Sequence, residues 1–579
     1  MVKIKACTMI LSFLAIIPAI HAGDTDAGIA EWFNMVPSAP HAGQNCLFTA
    51  SISSEYRNKG ILAFFRSHDD AFSMMLQDNG ENGDEKENDR IFSRLLQWKS
   101  KSGLWYCLIG AGDNENDMKY DIPQAFMVTE KPTEYRGIWA DSWNKGFLTK
   151  EQTIQMVKTI REANLNAIIA EVRKTGDAYY DSAYEPRATN LPDPDYDPLK
   201  HLVELAHDTS GGQKRIEVHA WVVNYRIFKG DKKNPSFPPN HILGKHPEWA
   251  SINSKGEKSD NGSYYLDPGV PDVMDYNINV CLDIIRKYDV DGINFDYVRY
   301  PNPGWGYNPI ALKRFRTLYK REDTPSPRDS QWLAFLRQQV TYFLRKAYVR
   351  MIAVKPRIKV SVCTIGWGDI PGGDFRKTDA HAGGIQDWAE WNRRHILDIN
   401  CRMGYKRQHD TKQKIQFQNW SRFTLGNQCF RMSTIGIGSY LNTFSGTLEQ
   451  IKTARMYGSN GFVLYSYNNP ISGKASPETF FKNLRNEALP EWADVPPFAW
   501  KISNPNGILG GTVKKNGAIQ DGMEISLPEI NLKTTTDGTG FYAFLDVPPG
   551  KRRIDAGGKS AGNIEIKPGH ITTFDVHLP

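Results

Sequence analysis

The sequence lacks clustered positive charge, and beyond its first residues it has no long apolar run. Its formal net charge of +6 is small for 579 residues and is not gathered in basic runs, which argues against nucleic acid as a partner. Its cysteines are few, and their irregular spacing matches no zinc-binding module. No later segment is apolar enough to span a bilayer. We therefore expect a mature chain without a membrane span.

Residues 1–22 show the order of a secretory signal peptide. Lys3 and Lys5 precede the apolar stretch Met9–Ile20, and the small residue Ala22 follows. A transmembrane anchor is the alternative, but the stretch is shorter than the roughly 20 residues that a span needs. We expect cleavage of this segment and a mature protein that is secreted or lies in the periplasm or cell envelope.

Six cysteines would remain after that cleavage. An oxidising compartment would allow a disulfide between Cys46 and Cys107. Buried free thiols that pack as small apolar side chains are the alternative, above all for Cys281, Cys363 and Cys401.

The length predicts about two to four domains, and the rhythm of the sequence divides it into three regions. Residues 23–133 carry short strand-like runs between turn-rich segments, which predicts an N-terminal β-sandwich of immunoglobulin type. After a proline-rich linker, residues 500–579 carry further short strands and turns, which predicts a second, small β-sandwich.

Between them, residues 134–490 alternate β-rich apolar runs with amphipathic helical stretches. Such alternation requires a parallel sheet, and eight repeats fit a closed (β/α)8 barrel of the TIM type, an α/β fold. No glycine-rich turn follows the first run, which disfavours a dinucleotide-binding sheet. The predicted strands are Arg136–Asp141, Ile168–Arg173, Ile216–Asn224, Asp291–Tyr297, Ile358–Ile365, Leu397–Tyr405, Thr434–Leu441 and Gly461–Tyr467.

Asp296 is the first candidate catalytic carboxylate. It ends the predicted fourth strand, and strand alternation places it on the same side as Asn294. A charge at the end of an apolar barrel strand is costly unless it is paired or functional, and Arg299 is a possible partner in a structural ion pair. The position at the carboxyl end of a barrel strand favours catalysis.

Glu171 and Asp141 are the candidates for the second carboxyl group that glycosidic cleavage requires. Asp141 ends the first strand, and Glu171 lies in the second, where Arg173 on the same face is a possible ion-pair partner. Asp177 and Asp267, in later loops, are further candidates for this acid, although an aspartate before proline, as at Asp267, also forms turns. No convincing carboxylate ends strands six to eight, which disfavours a nucleophile on strand seven.

Aromatic, amide and charged side chains near the other strand ends are candidates for stacking on sugar rings or binding hydroxyl groups. They are Trp139, Arg173, Asp177, Tyr179, Trp221, Asn224, Tyr225, Asp267, Asn294, Arg299, Trp367, Tyr405, Lys406, Tyr465 and Tyr467. We expect no cofactor and no metal ion, because the scattered histidines form no ligand cluster.

An ordered set of motifs resembles the family 10 glycoside hydrolase-like proteins. The resemblance implies a TIM-type barrel and a polysaccharide-cleaving role in the bacterial envelope or outside the cell. The motifs are Arg136–Trp139, Glu171–Tyr180, Val218–Trp221, His246–Trp249, Tyr265–Gly269, Asp291–Pro301 and Gln386–Trp388.

Two further resemblances concern the fourth strand and the C-terminal region. The fourth strand is similar to that of chitinase-type barrels, but Val298 stands where those have a catalytic glutamate, so their substrate-assisted mechanism is not expected. The segment Thr536–Tyr542 resembles the hairpin of carboxypeptidase regulatory-like, or transthyretin-like, sandwiches, which implies an accessory module without catalytic residues.

The sequence thus predicts a secreted glycoside hydrolase that acts on an envelope or extracellular polysaccharide with a carboxylate acid/base pair. A non-catalytic barrel that binds glycan is the main alternative, because the second acid is not unique. A metal-dependent deacetylase or lyase would need the histidine and aspartate ligand cluster that the sequence does not show.

Overall fold

The computed structural model describes residues 28–99, 101–114, 117–233, 235–473 and 476–579. The predicted signal peptide, residues 1–22, lies outside these ranges. Within them, no helix combines the length and the apolar character that crossing a bilayer would require.

The N-terminal region forms two antiparallel sheets around an aromatic core. One sheet has the order β1–β2–β5, and the other has the order β4–β3–β6–β7 with β8 paired to β6. The core contains Phe48, Phe65, Trp98, Trp105 and Phe126, all buried. A two-sheet sandwich is therefore present, and its immunoglobulin type stays a prediction. The strands are β1 (Ala30–Val36), β2 (Asn45–Ile52), β3 (Gly60–Arg66), β4 (Ala71–Met75), β5 (Ile91–Gln97), β6 (Gly103–Gly112), β7 (Lys119–Tyr120) and β8 (Gln124–Val128).

The central region is a closed barrel of eight parallel strands, as predicted. The order around the barrel is β9–β10–β11–β14–β15–β16–β17–β18, and β18 pairs with β9 to close it. Each strand is buried on both faces, which explains the near-continuous apolar runs. The barrel strands are β9 (Tyr135–Ala140), β10 (Ala167–Arg173), β11 (Glu217–Val223), β14 (Gly292–Asp296), β15 (Lys359–Ile365), β16 (Ile399–Gly404), β17 (Met432–Ile437) and β18 (Gly461–Tyr465). The loop after β11 contains the antiparallel pair β12 (Arg226–Lys229) and β13 (Ser263–Tyr265).

Helices surround the barrel, and polar side chains cap the first turns of most of them. Asp329, for example, accepts hydrogen bonds from the backbone N–H groups of Gln331 and Trp332 at the start of the longest helix. The helices are α1 (Lys150–Glu162), α2 (Pro198–His207), α3 (Ile242–Lys245), α4 (Pro271–Lys287), α5 (Pro309–Tyr319), α6 (Ser330–Val354), α7 (Trp388–Arg393), α8 (Thr411–Gly426), α9 (Phe444–Met456), α10 (Pro477–Asn483) and α11 (Ala499–Ile502).

The C-terminal region forms a second two-sheet sandwich. In one sheet β19 pairs with β20, β23, β26 and β27, and the other sheet has the order β22–β21–β24–β25. Its transthyretin-like type stays a prediction. The strands are β19 (Gly507–Lys515), β20 (Ala518–Ile519), β21 (Glu524–Leu527), β22 (Leu532–Thr535), β23 (Phe541–Val547), β24 (Gly550–Ala556), β25 (Lys559–Ile566), β26 (Ile571–Thr573) and β27 (Val576–Leu578).

Both sandwiches dock on the outside of the barrel. Phe430, from the loop before β17, joins the N-terminal core, with its ring centroid 5.3 Å from that of Phe33. On the C-terminal side, Arg314 of α5 forms an ion pair with Asp521 at 2.8 Å. The side chains of the site described below come from the barrel strands and the loops between them.

The six cysteines of the described residues are buried and free. The disulfide considered between Cys46 and Cys107 is therefore not formed. Burial raises the pKa of the Cys46 thiol to about 12, which keeps it protonated and unreactive.

Candidate active site

The carboxyl ends of the barrel strands enclose a group of polar and aromatic side chains. Strand register places Glu171 of β10 beside Trp221 of β11, and Trp221 beside Asn294 of β14. Asp296 lies one step further toward the carboxyl end, beside Val223. The chemistry of barrel enzymes takes place at this end.

Glu171 is enclosed, with 1% of its surface exposed. Its Oε2 accepts hydrogen bonds from the backbone N–H and from the hydroxyl group of Ser142, both at 2.9 Å. Burial raises the pKa of Glu171 to about 8 against these hydrogen bonds; Asp141 raises it further and Lys174 lowers it. At neutral pH this carboxyl group is therefore mainly protonated.

Asp141 follows β9 and is held in place by the turn after it. Its Oδ1 accepts hydrogen bonds from the backbone N–H groups of Trp143 and Asn144, and from the Asn144 side chain at 2.8 Å. The hydroxyl group of Ser466, after β18, lies 3.5 Å from the other carboxylate oxygen. Asp141 thus bridges the turn after β9 to the end of β18.

Asp296 ends β14, and 8% of its surface is exposed. Its Oδ1 accepts a hydrogen bond from the backbone N–H of Tyr297 at 2.7 Å. Burial raises its pKa, while this hydrogen bond and the charges of Arg299 and Arg226 lower it. Asp296 therefore has two cationic neighbours that favour its ionised form, whereas Glu171 has one, Lys174.

Aromatic rings fill the space beside these carboxyl groups. The centroid of the Tyr465 ring lies 6.1 Å from that of Trp139, 6.3 Å from that of Trp221 and 5.3 Å from that of Tyr405. Tyr440, in the short 3-10 turn after β17, completes the group at 5.8 Å from Tyr465. Such a surface suits the apolar face of a sugar ring.

Tyr465 also shows that the three carboxyl groups converge. Besides burial, the charges of Asp141, Glu171 and Asp296 all raise the pKa of its hydroxyl group. All three acids therefore act electrostatically on the same tyrosine.

Asn294 lies below Asp296 and is held by side chains of neighbouring strands. Its Nδ2 donates to the Ser361 hydroxyl at 2.8 Å, and its Oδ1 accepts from the Cys363 thiol at 3.1 Å. The Trp139 indole N–H points to the same oxygen at 3.5 Å. Asn294 thereby fixes the indole ring at the bottom of the site.

Four predicted sugar-binding residues have protein contacts that hold them in place. Arg173 forms a buried ion pair with Glu185 at 2.6 Å, and not with Glu171. Tyr179 donates its hydroxyl to Asn190, and Tyr225 packs on Phe343 of α6 in the layer outside the barrel. The fourth is Asp267, which is enclosed and accepts hydrogen bonds from the Ser251 hydroxyl and from the backbone N–H of Gly269 in its own turn. A role of these four residues in sugar binding stays a prediction.

Four others have mainly local structural contacts. Asp177 caps its own turn by accepting hydrogen bonds from the backbone N–H groups of Lys174 and Thr175. Lys406 donates to the Gly368 carbonyl at 3.0 Å, and burial lowers its pKa to about 8. Tyr467 stacks on Phe481 of α10. The fourth, Asn224, is buried and donates its backbone N–H to the Asp296 carbonyl at 2.8 Å.

Several residues of the site were not predicted from the sequence. Ser142 holds Glu171, and Trp143, which is 52% exposed, lies under the ammonium group of Lys174 at 4.3 Å. Their position directly after Asp141 is the signal that could have identified them. Tyr440 lies in a turn, and nothing in its local pattern marks it.

One group of carboxylates in the described residues has the spacing of metal ligands, and it lies far from the barrel site in sequence. Oxygen atoms of Asp78, Asp84 and Asp89, in the loop between β4 and β5, lie within 4.8 Å of one another. Asp84 itself is buried. Exposed acidic groups often lie together without a metal ion, so the group assigns no ion.

The central part of the chain matches a described protein family. The model of the family "Glycosyl hydrolase-like 10" matches residues 134–430. The chain is 27% identical over 261 residues to the glycosyl hydrolase YngK of Bacillus subtilis, covering 42% of this chain and 48% of that protein. It is 24% identical over 268 residues to the glycosyl hydrolase DigH of Escherichia coli K12, covering 43% of this chain and 56% of that protein. The chain thus spans about half the length of the curated relatives it matches.

Among solved structures, the glycoside hydrolase domain of PgaB (BpsB) from Bordetella bronchiseptica is similar at 14% identity. The TM-score is 0.46, with 63% of this chain and 100% of that domain covered.

Proposed function

This chain belongs to the glycosyl hydrolase-like 10 family, and from that premise we propose that it hydrolyses glycosidic bonds, with Glu171 as general acid and Asp296 as the ionised carboxylate. The observation that carries the proposal is the contrast between the two environments. Burial raises the pKa of both carboxyl groups, to about 8 for Glu171, but at Asp296 a backbone N–H and two arginines oppose this effect. Glycosidases need such a pair, one carboxyl group protonated and one ionised.

In this mechanism Glu171 donates its proton to the leaving glycosidic oxygen. Asp296 then either attacks the anomeric carbon or removes a proton from the attacking water, according to the separation of the two groups around the bound sugar. The aromatic group of Trp139, Tyr405 and Tyr465 binds the apolar face of the ring. Asp141 raises the pKa of Glu171 and so helps to keep it protonated.

The proposed place of action is the cell envelope or the extracellular space, and the proposed substrate is a polysaccharide found there. The signal-peptide pattern of residues 1–22 supports export. The two sandwiches, read as immunoglobulin-like and carboxypeptidase regulatory-like modules, would act as accessory domains that leave the barrel mouth open.

The test is release of reducing ends from a glycan panel that includes peptide-free peptidoglycan strands. We expect release by the mature protein and loss of about 10²-fold or more in Glu171→Gln and Asp296→Asn. The exposed Asp195→Asn, in the loop between β10 and α2, is the matched control and should keep full activity. Full activity of Asp296→Asn would remove that residue from the mechanism. Binding without release from any glycan would favour the non-catalytic barrel.

A further inference from the structure

Two arginines at the mouth of the barrel have no carboxylate partner in the part of the chain that the structure describes. The guanidinium carbon of Arg226, in β12, lies 4.1 Å from the centroid of the Tyr297 ring. The guanidinium carbon of Arg299, after β14, lies 4.4 Å from the same centroid. In the described ranges no carboxylate oxygen lies within the 4.0 Å of an ion pair from either group. The buried Arg173, by contrast, has Glu185 at 2.6 Å.

Their hydrogen-bonding capacity is largely unused. Arg226 donates to the Tyr297 hydroxyl at 2.8 Å. The Nε atoms of both arginines are buried and have no hydrogen-bond partner among the described residues, and only 9% of Arg299 is exposed. A guanidinium group removed from water without an anionic partner is costly, so this arrangement indicates that a ligand supplies the missing acceptor.

The pair lies where a bound sugar would meet the reacting groups. Both arginines act electrostatically on Asp296. On its other side, Arg299 lies 5.2 Å from the ring centroid of Trp367, which is 44% exposed. The pair therefore connects the catalytic carboxylate to an exposed aromatic ring at the entrance.

The charge balance points to an anion and not to a neutral hydroxyl group. Ionised Asp296 offsets one of the two positive charges, and one positive charge remains. A planar guanidinium group binds a carboxylate through two parallel N–H bonds, which a hydroxyl group cannot provide.

We propose that the sugar bound beside Asp296 carries a carboxylate group, and that Arg226 and Arg299 bind this group. The inference rests on the proposed function and narrows its substrate to acidic glycans. The carboxylate belongs either to the sugar ring, as in a uronic acid, or to an ether substituent, as in the lactyl group of peptidoglycan strands.

The experiment compares each acidic glycan with its carboxyl-reduced form, in which the carboxylate has become an alcohol. The probes are polygalacturonate and peptide-free peptidoglycan strands, native and reduced. Binding is measured by calorimetry on the mature chain with Glu171→Gln, which blocks turnover and keeps Asp296. We expect carboxyl reduction of one of the two glycans to weaken binding at least about tenfold.

Variants connect this preference to the two arginines. In Arg226→Gln and Arg299→Gln, native and reduced glycan should bind with similar affinity. Arg299→Lys should keep part of the preference for the native glycan, because lysine keeps the positive charge but lacks the two parallel N–H donors of the guanidinium group. Arg376→Gln, an exposed arginine in the loop after β15, is the matched control and should keep all of it.

Each result decides the inference. The inference would be overturned if native and reduced glycans bound equally, or if neither acidic glycan bound. It would also be overturned if the arginine variants lost the same affinity for both forms. A preference for the native form that depends on both arginines supports it, and the glycan that shows this preference identifies the source of the carboxylate. Such a preference without release of reducing ends by the wild type would refute hydrolysis and leave the carboxylate site in place.

Discussion

If Glu171 is a buried, protonated acid, replacing it by glutamine should lower activity and at the same time raise stability at alkaline pH. Burial raises the pKa of Glu171 from its ordinary value of 4.5 to about 8. The folded state therefore binds this proton more tightly than the unfolded chain does. The stability that results is fully present below pH 4.5 and is lost as the pH rises through about 8. At about 1.4 kcal/mol for each tenfold difference in proton affinity, the loss between pH 5 and pH 9 is on the order of 4 kcal/mol.

Glutamine has the size of the protonated acid and keeps an oxygen that can accept both hydrogen bonds from Ser142. It does not titrate, so Glu171→Gln should lose turnover and yet gain stability over the wild type as the pH rises from 5 to 9. The assay is urea unfolding of both proteins at intervals across that range, together with the pH dependence of kcat/KM. The wild type should lose activity above about pH 8, where the acid becomes ionised.

The control for this experiment is Asp195→Asn, an exposed change that should follow the wild type at every pH. Parallel stability curves for the wild type and Glu171→Gln would refute the reasoning, because they would mean that Glu171 is ionised in the folded protein at neutral pH. The assignment of Glu171 as general acid would then lose its physical basis.

Three further predictions concern neighbouring contacts. Asp141→Asn removes a negative charge that raises the pKa of Glu171, so the alkaline limb of kcat/KM should move to lower pH; an unmoved limb would contradict this coupling. Arg173→Met leaves Glu185 buried without its partner and should lower the free energy of unfolding in urea by about 3–5 kcal/mol. Replacing a residue that only contacts sugar would change this free energy little. Phe430→Ala opens the N-terminal core and should cost about 3–5 kcal/mol, with faster limited proteolysis of that sandwich; unchanged proteolysis would show that the sandwich docks without this ring.

The barrel was predictable from the sequence because its strands are buried on both faces and so appear as separate apolar runs. Each of the eight predicted runs overlaps an observed barrel strand. The half-exposed strand β5 carries a weaker signal than the barrel strands, because in Ile91–Gln97 buried and exposed positions do not alternate regularly.

The side chains of the site were less predictable, for reasons that lie in the backbone. Strand alternation predicted that Glu171 and Arg173 share a face, but the register of β10 against β11 shifts between them. Arg173 pairs with Glu185 beyond this shift, so the possible ion pair with Glu171 is not formed. Arg226 lies in a strand pair formed within one long loop, and Tyr440 lies in a short turn, and neither position has a periodic signal.

The two proposals meet at Asp296, and together they make a final prediction. Arg226 and Arg299 lower the pKa of Asp296 in the free protein. A substrate carboxylate bound to them would offset this effect, so the pKa of Asp296 should be higher in the complex. Because kcat/KM reports the free enzyme and kcat the complex, the acidic limb of kcat should lie at higher pH than that of kcat/KM.

With carboxyl-reduced glycan the two acidic limbs should coincide, because no substrate charge reaches the arginines. Measuring both profiles on native and reduced glycan therefore tests the carboxylate contact through its effect on the reacting group. Coincident limbs on the native glycan would show that its carboxylate does not lie beside Arg226 and Arg299 during turnover, even where binding prefers the acidic form.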